Sequence, residues 1–147
     1  MREPDLDVRR IVTGFDANGR SVVTSDELLQ VIPVGDGGFH GVRVHATAQA
    51  GGGAAGMGDL SGSEYFPSSG ALMNIGEFPP GFAFPHHQTD SVDFAVVLAG
   101  EIELELDDGQ CVRMGPGGVI VQRGTNHAWR NVSDGWTRMM FFLVANG

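Results

Sequence analysis

The sequence predicts an all-β protein, either a sandwich or a barrel, built from about ten short strands. Short runs rich in β-branched and aromatic residues recur along the chain, and glycine or proline separates most of them. No segment keeps a 3.6-residue apolar period over three turns, so helices are not expected. The chain has 147 residues, of which 41% are hydrophobic and 18% charged, and this fits one globular domain with its own core.

The N-terminal region is expected to form a β-hairpin. Residues 8–24 contain two runs typical of strands. The dipeptide Asn18-Gly19 between them favours a tight turn, because both residues tolerate positive φ. Residues 25–27 resemble a turn or a short helical cap. The hairpin is an addition to the barrel expected from the rest of the chain.

One strand and a glycine-rich segment follow the hairpin. Residues 42–48 alternate between apolar and polar side chains, which predicts a half-buried strand with Arg43 and His45 on its polar face. Residues 49–64 are rich in glycine, and such chains are too flexible to pack tightly. Two interpretations stay open for this segment: a disordered surface loop, or a mobile lid beside a pocket.

Further strands are predicted in the second half of the chain. They cover residues 69–78, 82–87, 92–99, 101–106, 111–114, 119–122, 127–131 and 137–144. The strand at residues 101–106 alternates with its acidic residues outward, and residues 107–110 close it onto the next strand as a hairpin. We therefore expect a single domain with an N-terminal hairpin and strand (residues 1–48), a loop (residues 49–64) and a barrel core (residues 65–147).

Composition narrows the set of partners and compartments. The net charge is −9, and all nine cations are arginine. An acidic chain without basic clusters argues against nucleic acid and anionic membranes as partners. No apolar run is long enough to predict a membrane span, and the N-terminus does not resemble a secretory signal, so a cytoplasmic location is expected. The single cysteine, Cys111, cannot form an internal disulfide and is expected to be a small core or half-buried residue in a strand, not a nucleophile.

The chemistry is expected between residues 81 and 131, which hold three of the five histidines. Divalent transition metals need neutral imidazoles and carboxylates that converge on one point, and neighbouring strands can supply them. His87 and Asp93 lie on successive predicted strands, and His127 lies on another. Two histidines and one carboxylate would form a facial triad that suits Fe(II), with Mn, Ni, Co or Zn as alternatives.

The spacing of these residues resembles the first sequence motif of the cupins, small β-barrels that hold a metal inside. That motif runs from a glycine through two histidines and a glutamate to a second glycine. Gly81 and His87 match its start, and Gly100 matches its end. Thr89 stands at the position of the second histidine, and Asp93 stands at that of the glutamate. Threonine is a poor ligand, so one of the usual four ligands is missing.

The second cupin motif is matched in its back half. Gly124, His127 and Asn131 stand at the motif's positions. Gln122 replaces its proline, and Pro116 holds the position of its first glycine. The resemblance implies a double-stranded β-helix (jelly-roll) barrel with a metal site, and it implies this fold and metal more firmly than it implies a reaction.

The first motif leaves the roles of its neighbouring side chains open. Strand alternation turns His86 away from His87, so His86 is expected to face outward. A bend at Pro85 would bring His86 inward, where it would replace the ligand missing at Thr89 or shuttle protons. Thr89 is the other candidate for orienting a bound water or substrate, and Gln88 is expected to face away from it.

Candidate substrate-binding residues are the aromatic and polar side chains near this stretch and on the strand at residues 42–48. They are Phe82, Phe84, Gln88, Arg123, Trp129, Arg43 and His45. Trp129 lies two residues from His127 on the same face, and in a barrel interior that face is the wall of the pocket. Arg123 is able to clamp a substrate carboxylate, although an arginine in a turn is more often a solvated surface residue.

A metal-dependent enzyme is the first function that these observations predict. Its substrate would be a small oxygen-bearing molecule, aromatic or ketide-like. An oxygenase-type reaction is preferred to a redox-neutral one (lyase, decarboxylase, dehydratase or isomerase), because non-haem iron favours the predicted triad. The alternatives are a non-catalytic module that binds a small molecule or metal, and a structural barrel with a vestigial site. A homodimer is expected, in which the N-terminal hairpin extends a sheet of its own subunit or of its partner.

Overall fold

The computed structural model describes residues 7–47 and 69–146, and β-strands dominate them. The strands are β1 (Val8–Phe15), β2 (Ser21–Leu29), β3 (Ile32–Pro33), β4 (His40–Ala46), β5 (Ala71–Phe78), β6 (Ala83–His87), β7 (Ser91–Ala99), β8 (Ile102–Glu105), β9 (Cys111–Met114), β10 (Val119–Arg123), β11 (His127–Arg130) and β12 (Thr137–Ala145). The expected all-β class is therefore confirmed. In the described part of the chain, no helix is long and apolar enough to span a membrane.

Two larger sheets enclose the core, and the N-terminal hairpin forms a third sheet of its own. The large sheet has six strands in the order β10-β7-β12-β5-β4-β3, and the small sheet has four in the order β6-β11-β8-β9. Strands that follow each other in sequence mostly lie in opposite sheets, as β6, β7 and β8 do. This is the arrangement of a double-stranded β-helix, or jelly-roll barrel.

Alternating burial explains how the sheets build a core. Ala95 and Val97 on β7 are buried, as are Met139 and Phe141 on β12. The residues between them on both strands are more exposed. The buried side chains belong to one apolar cluster that also includes Trp129 of the small sheet. The inner faces of both sheets therefore form the barrel interior, and any pocket between the sheets has walls made of core residues.

Glycine turns connect several strands at positions that the sequence indicates. Gly19 has φ +77° in the turn of the N-terminal hairpin, as expected from the Asn-Gly dipeptide. Gly100 has φ +79° between β7 and β8, at the end of the first motif. Asp107–Gly109 forms a 3₁₀ turn that closes β8 onto β9, which confirms the second predicted hairpin.

The expectation of a turn or helical cap at residues 25–27 is wrong, because these residues continue β2. They pair with β1 in an antiparallel register. Arg9 forms an ion pair with Asp26 across the hairpin, and Arg10 forms one with Glu27, each at 2.7 Å. Acidic residues are typical of helix starts, but Asp26 and Glu27 serve here as partners of arginines on the neighbouring strand.

Three further local expectations are corrected. Cys111 is exposed, because β9 is the edge strand of the small sheet. The hairpin does not extend another sheet of its own subunit, since β1 pairs only with β2 among the described residues. Arg43 and His45 do not share a face, because a β-bulge lies between them. Arg43 is fully buried and its Nε donates to Asn74 Oδ1 at 2.8 Å, whereas His45 is exposed.

Candidate active site

Four polar side chains from four strands line one cavity between the sheets. His87 ends β6 and His127 begins β11, and the two residues are paired across the small sheet. Asp93 on β7 and Gln122 on β10 are paired across the large sheet. Strand pairing within each sheet thus brings together residues that are distant in sequence. Because the two sheets face each other, the two pairs of residues line the same cavity.

The rest of the cavity wall is apolar and largely aromatic. It is formed by Phe78, Phe84, Ala95, Trp129, Phe141 and Leu143. Trp129 packs edge-on against Phe141 at 5.8 Å between ring centroids, and Phe84 packs against His87 at 4.6 Å. The cavity is open at its mouth, and its enclosed part is small, about 20 Å³, which is room for about one water molecule.

Backbone carbonyls hold both histidines in a single tautomer. His87 Nδ1 lies 2.8 Å from the carbonyl oxygen of Pro85, and His127 Nδ1 lies 2.8 Å from that of Thr125. A carbonyl oxygen only accepts hydrogen bonds, so each Nδ1 carries the proton and each Nε2 keeps its lone pair. The two ring centroids lie 4.2 Å apart. The cavity therefore contains two adjacent imidazoles whose basic nitrogens are both Nε2.

Burial keeps these imidazoles neutral. Desolvation lowers the pKa of His87 from 6.5 to about 4, and the neighbouring charge of His127 acts in the same direction. Desolvation also lowers the pKa of His127, although its backbone hydrogen bond and the charge of Asp93 oppose this shift. The pKa of Asp93 is raised by burial, while hydrogen bonds from Ser91 and Thr89 oppose the rise. A neutral imidazole is the form that accepts a proton or binds a metal.

Two hydroxyl groups orient the Asp93 carboxylate. Ser91 Oγ lies 2.6 Å from its Oδ1, and Thr89 Oγ1 lies 3.1 Å from its Oδ2. In the described part of the chain, no group of three His, Cys, Asp or Glu side chains is arranged to hold a metal ion. The predicted ligands His87, Asp93 and His127 line the same cavity but do not form such a group. The tautomers of the two histidines suit a metal, but the complete triad does not fit one as it is oriented here.

Comparisons with known proteins establish the family. A family model of the cupin domain matches residues 74–144. Phomopsin biosynthesis cluster protein C' of Diaporthe leptostromiformis is 36% identical, over 92% of this chain and 77% of its own length. The cupin-domain-containing oxidoreductase fogC of Aspergillus ruber is 31% identical, over 93% of this chain and 72% of its own length. This chain belongs to the cupin family.

A solved structure shows the same fold. The cupin domain of Cnp3 from Schizosaccharomyces pombe superposes with a TM-score of 0.60, over 96% of this chain and 85% of that chain. The sequence identity is 13%, so this likeness concerns the fold alone. The cupin barrel with its additional N-terminal hairpin, expected from the motifs, is confirmed.

Gln122 lines the cavity, but matching the sequence to the cupin motifs does not identify it as a functional residue. In the motif it only replaces a proline. Strand alternation was the available signal, because a polar residue two positions after Ile120 shares its inward face. Ile120 and Gln122 are both buried, at 9% and 2% exposure. A buried amide on an otherwise apolar inner face marks a position where polar chemistry is expected.

The predicted substrate-binding residues separate into two groups. Phe84 and Trp129 line the cavity. Phe82 packs half-buried against the apolar core. Gln88 donates a hydrogen bond from its amide to a backbone carbonyl at 3.1 Å, and Arg123 is exposed on the outer side of β10. None of these last three is part of the cavity wall: Phe82 and Gln88 lie just outside the two ends of β6, and Arg123 points outward from β10.

The two predicted catalytic side chains also lie outside the cavity wall. His86 faces outward as strand alternation indicates: its side chain is 41% exposed, and its Nε2 lies 3.3 Å from Glu105. It is therefore not placed to replace a missing ligand or to shuttle a proton. Thr89 is buried, but its hydroxyl binds Asp93, so it positions the carboxylate. The predicted lid at residues 49–64 lies outside the described residues.

Proposed function

We propose that this cupin is an enzyme that acts on a small, flat, oxygen-bearing molecule in the cavity, with His127 as the proton-transferring residue. The observation that carries the proposal is a neutral imidazole, held as one tautomer, inside an aromatic cavity that also contains a buried carboxylate. Relatives that are named as biosynthesis cluster proteins or cupin-domain-containing oxidoreductases support an enzymatic role in the formation of small molecules.

The proposed reaction begins at a carbon next to a carbonyl group of the substrate. His127 Nε2 takes a proton from this carbon, and the electron pair of the C–H bond moves toward the carbonyl oxygen. The charge of Asp93 favours the protonated form of His127, so it stabilises the imidazolium that forms. Return of the proton to a different carbon completes an isomerisation. Its delivery to a hydroxyl group that leaves as water completes a dehydration.

The aromatic walls have two functions in this scheme. Trp129 and Phe141 pack edge-on and are both at least nine-tenths buried, so they limit the access of water to the reacting carbon. Exclusion of water strengthens the electrostatic effect of the nearby carboxylate, because the local dielectric constant falls. The same walls select substrates by thickness, which favours planar or nearly planar molecules.

A metal-dependent oxidoreductase is the second candidate function. Metal-binding histidines usually donate their second ring N–H to a carbonyl or carboxylate, and both His87 and His127 do so. Fe(II) is the first choice of metal, followed by Mn, Ni, Co and Zn. Such an ion, held by the two Nε2 atoms, would supply Lewis acidity toward a substrate oxygen. Asp93 does not complete this ligand set in its present orientation.

Hydrogen–deuterium exchange separates these candidates. Acetophenone, a flat aromatic ketone, is incubated with the protein in D₂O, and loss of its methyl protons is followed by NMR. We expect faster exchange than in imidazole buffer of equal concentration, a loss of about 100-fold or more in His127→Gln, and no change in the outward control His86→Gln. Exchange should persist after treatment with a chelator.

Other outcomes favour the alternatives. Exchange that requires added Fe, Mn, Ni, Co or Zn, together with metal in the purified protein, would support the metal-dependent enzyme. A metal-loaded protein that is stabilised against heat but does not accelerate exchange would point to a non-catalytic module. If neither the metal-free nor the metal-loaded protein exceeds the buffer, proton transfer by His127 is refuted.

A further inference from the structure

We infer that Gln122 determines which ligands the cavity accepts, by donating a hydrogen bond from its side-chain Nε2 to a carbonyl oxygen of the ligand. This inference deepens the proposed function and rests on the cavity being the binding site. It assigns the substrate class as flat molecules that carry a hydrogen-bond-accepting oxygen on one edge.

The first observation is an unpaired donor. Gln122 is 2% exposed, and its Oε1 accepts a hydrogen bond from Thr125 Oγ1 at 2.6 Å. Among the described residues, its Nε2 is buried and has no hydrogen-bond partner. A buried amide donor without a partner is strongly unfavourable. Such a group in the wall of a cavity indicates a ligand atom that accepts the hydrogen bond.

The second observation is the chemistry of the surrounding groups. His127 Nε2 carries a lone pair, and Asp93 is a hydrogen-bond acceptor when it is ionised. Gln122 is paired with Asp93 across the large sheet, so a donor lies beside an acceptor along the cavity. A carbonyl oxygen that accepts from Gln122 would gain negative charge during proton removal by His127. A neutral donor fixed in advance stabilises that charge.

The third observation concerns how the amide is held. The Thr125 hydroxyl donates to the amide oxygen, so the oxygen is already paired and the nitrogen is the end of the amide left to bind a ligand. Gln122 also stands where the second motif of the family has a proline, whose side chain has no polar atom. The donor is therefore a feature of this chain and not of the shared motif.

A pair of isosteric ligands tests the inference. Acetophenone and α-methylstyrene have nearly the same size and connectivity, but the second carries a methylene group in place of the carbonyl oxygen. Their dissociation constants are measured by ligand-observed NMR with wild-type protein and with Gln122→Met, which keeps the length of the side chain and removes the donor. We expect wild type to prefer acetophenone by about fivefold to tenfold, and the variant to show no preference.

Controls keep the outcomes separate. Gln122→Glu replaces the donor by an acceptor and should also remove the preference, so it serves if Gln122→Met does not fold. Trp129→Leu should weaken both ligands equally, which would show that they occupy the cavity. A preference that survives in both Gln122 variants, or is absent in wild type, overturns the inference. Loss of hydrogen–deuterium exchange with an intact preference would instead refute only the proposed reaction.

Discussion

Replacement of Gly100 by alanine is expected to be among the most destabilising turn substitutions in this protein. Gly100 has φ +79°, and a side chain in this region costs about 1 kcal/mol. A β-carbon would also collide with the carbonyl oxygen of Trp136 and lie 2.6 Å from Thr137 Oγ1. The Thr137 hydroxyl cannot move away freely, because it is hydrogen-bonded to both the backbone N–H and the carbonyl of Glu101.

The size of the effect follows from these two contributions. Relief of such an overlap by backbone movement costs about 1–3 kcal/mol, so the total loss for Gly100→Ala is expected to be about 2–4 kcal/mol. Gly109 provides a matched control, since it has φ +73° but no atom within 4 Å of the added carbon. Gly109→Ala should therefore lose only about 1 kcal/mol.

Urea unfolding followed by tryptophan fluorescence measures both variants. The midpoint of Gly100→Ala should fall clearly below that of Gly109→Ala at the same slope. Equal midpoints would show that only the backbone angle matters at Gly100, and that the close contact of this turn with Trp136 and Thr137 has no energetic effect. That result would refute the account of this turn as a closely packed corner.

Three further predictions concern pH, a buried amide and a surface ion pair. In chelator-treated protein, the free energy of unfolding should fall as the pH drops from about 6.5 to about 4, because the unfolded chain binds a proton at His87 before the folded chain does. The urea midpoint should depend less on pH in the variant His87→Asn. Asn131→Ala should lose about 2–3 kcal/mol in urea unfolding, because the side chain donates to Phe78 O at 2.9 Å and also accepts two hydrogen bonds. Asp26→Asn should leave the urea midpoint unchanged, since both Asp26 and its partner Arg9 are exposed and such surface ion pairs contribute little.

The positions of the two histidines could be predicted from sequence, because strand geometry is periodic. A period of two residues places alternate side chains on one face, so His87 and Trp129 are assigned to the interior and His86 to the exterior without any knowledge of packing. The structure places all three in this way. Alternation also predicts an inward Gln122, although motif matching leaves it without a role.

The placement of Arg43 and His45 could not be predicted in the same way. A β-bulge after Arg43 adds one residue to β4 and reverses the alternation beyond it. The bulge has no sequence signal in this segment, because neither glycine nor proline occurs between the two residues. The orientation of the Asp93 carboxylate could not be predicted from the sequence either. Its spacing fits a ligand, but its carboxylate is oriented by the hydroxyls of Thr89 and Ser91.

The sequence by itself determined the all-β class, the strand order along the chain and the motif that assigns the chain to the cupins, since these depend on local alternation, turn residues and spacing. Only the tertiary structure decided which polar side chains meet. Asp93 is paired with Gln122 on neighbouring strands of the large sheet, and His87 is paired with His127 on neighbouring strands of the small sheet. Such contacts depend on strand register, bulges and the stacking of two sheets, which are set by the packing of the whole core and not by any one segment.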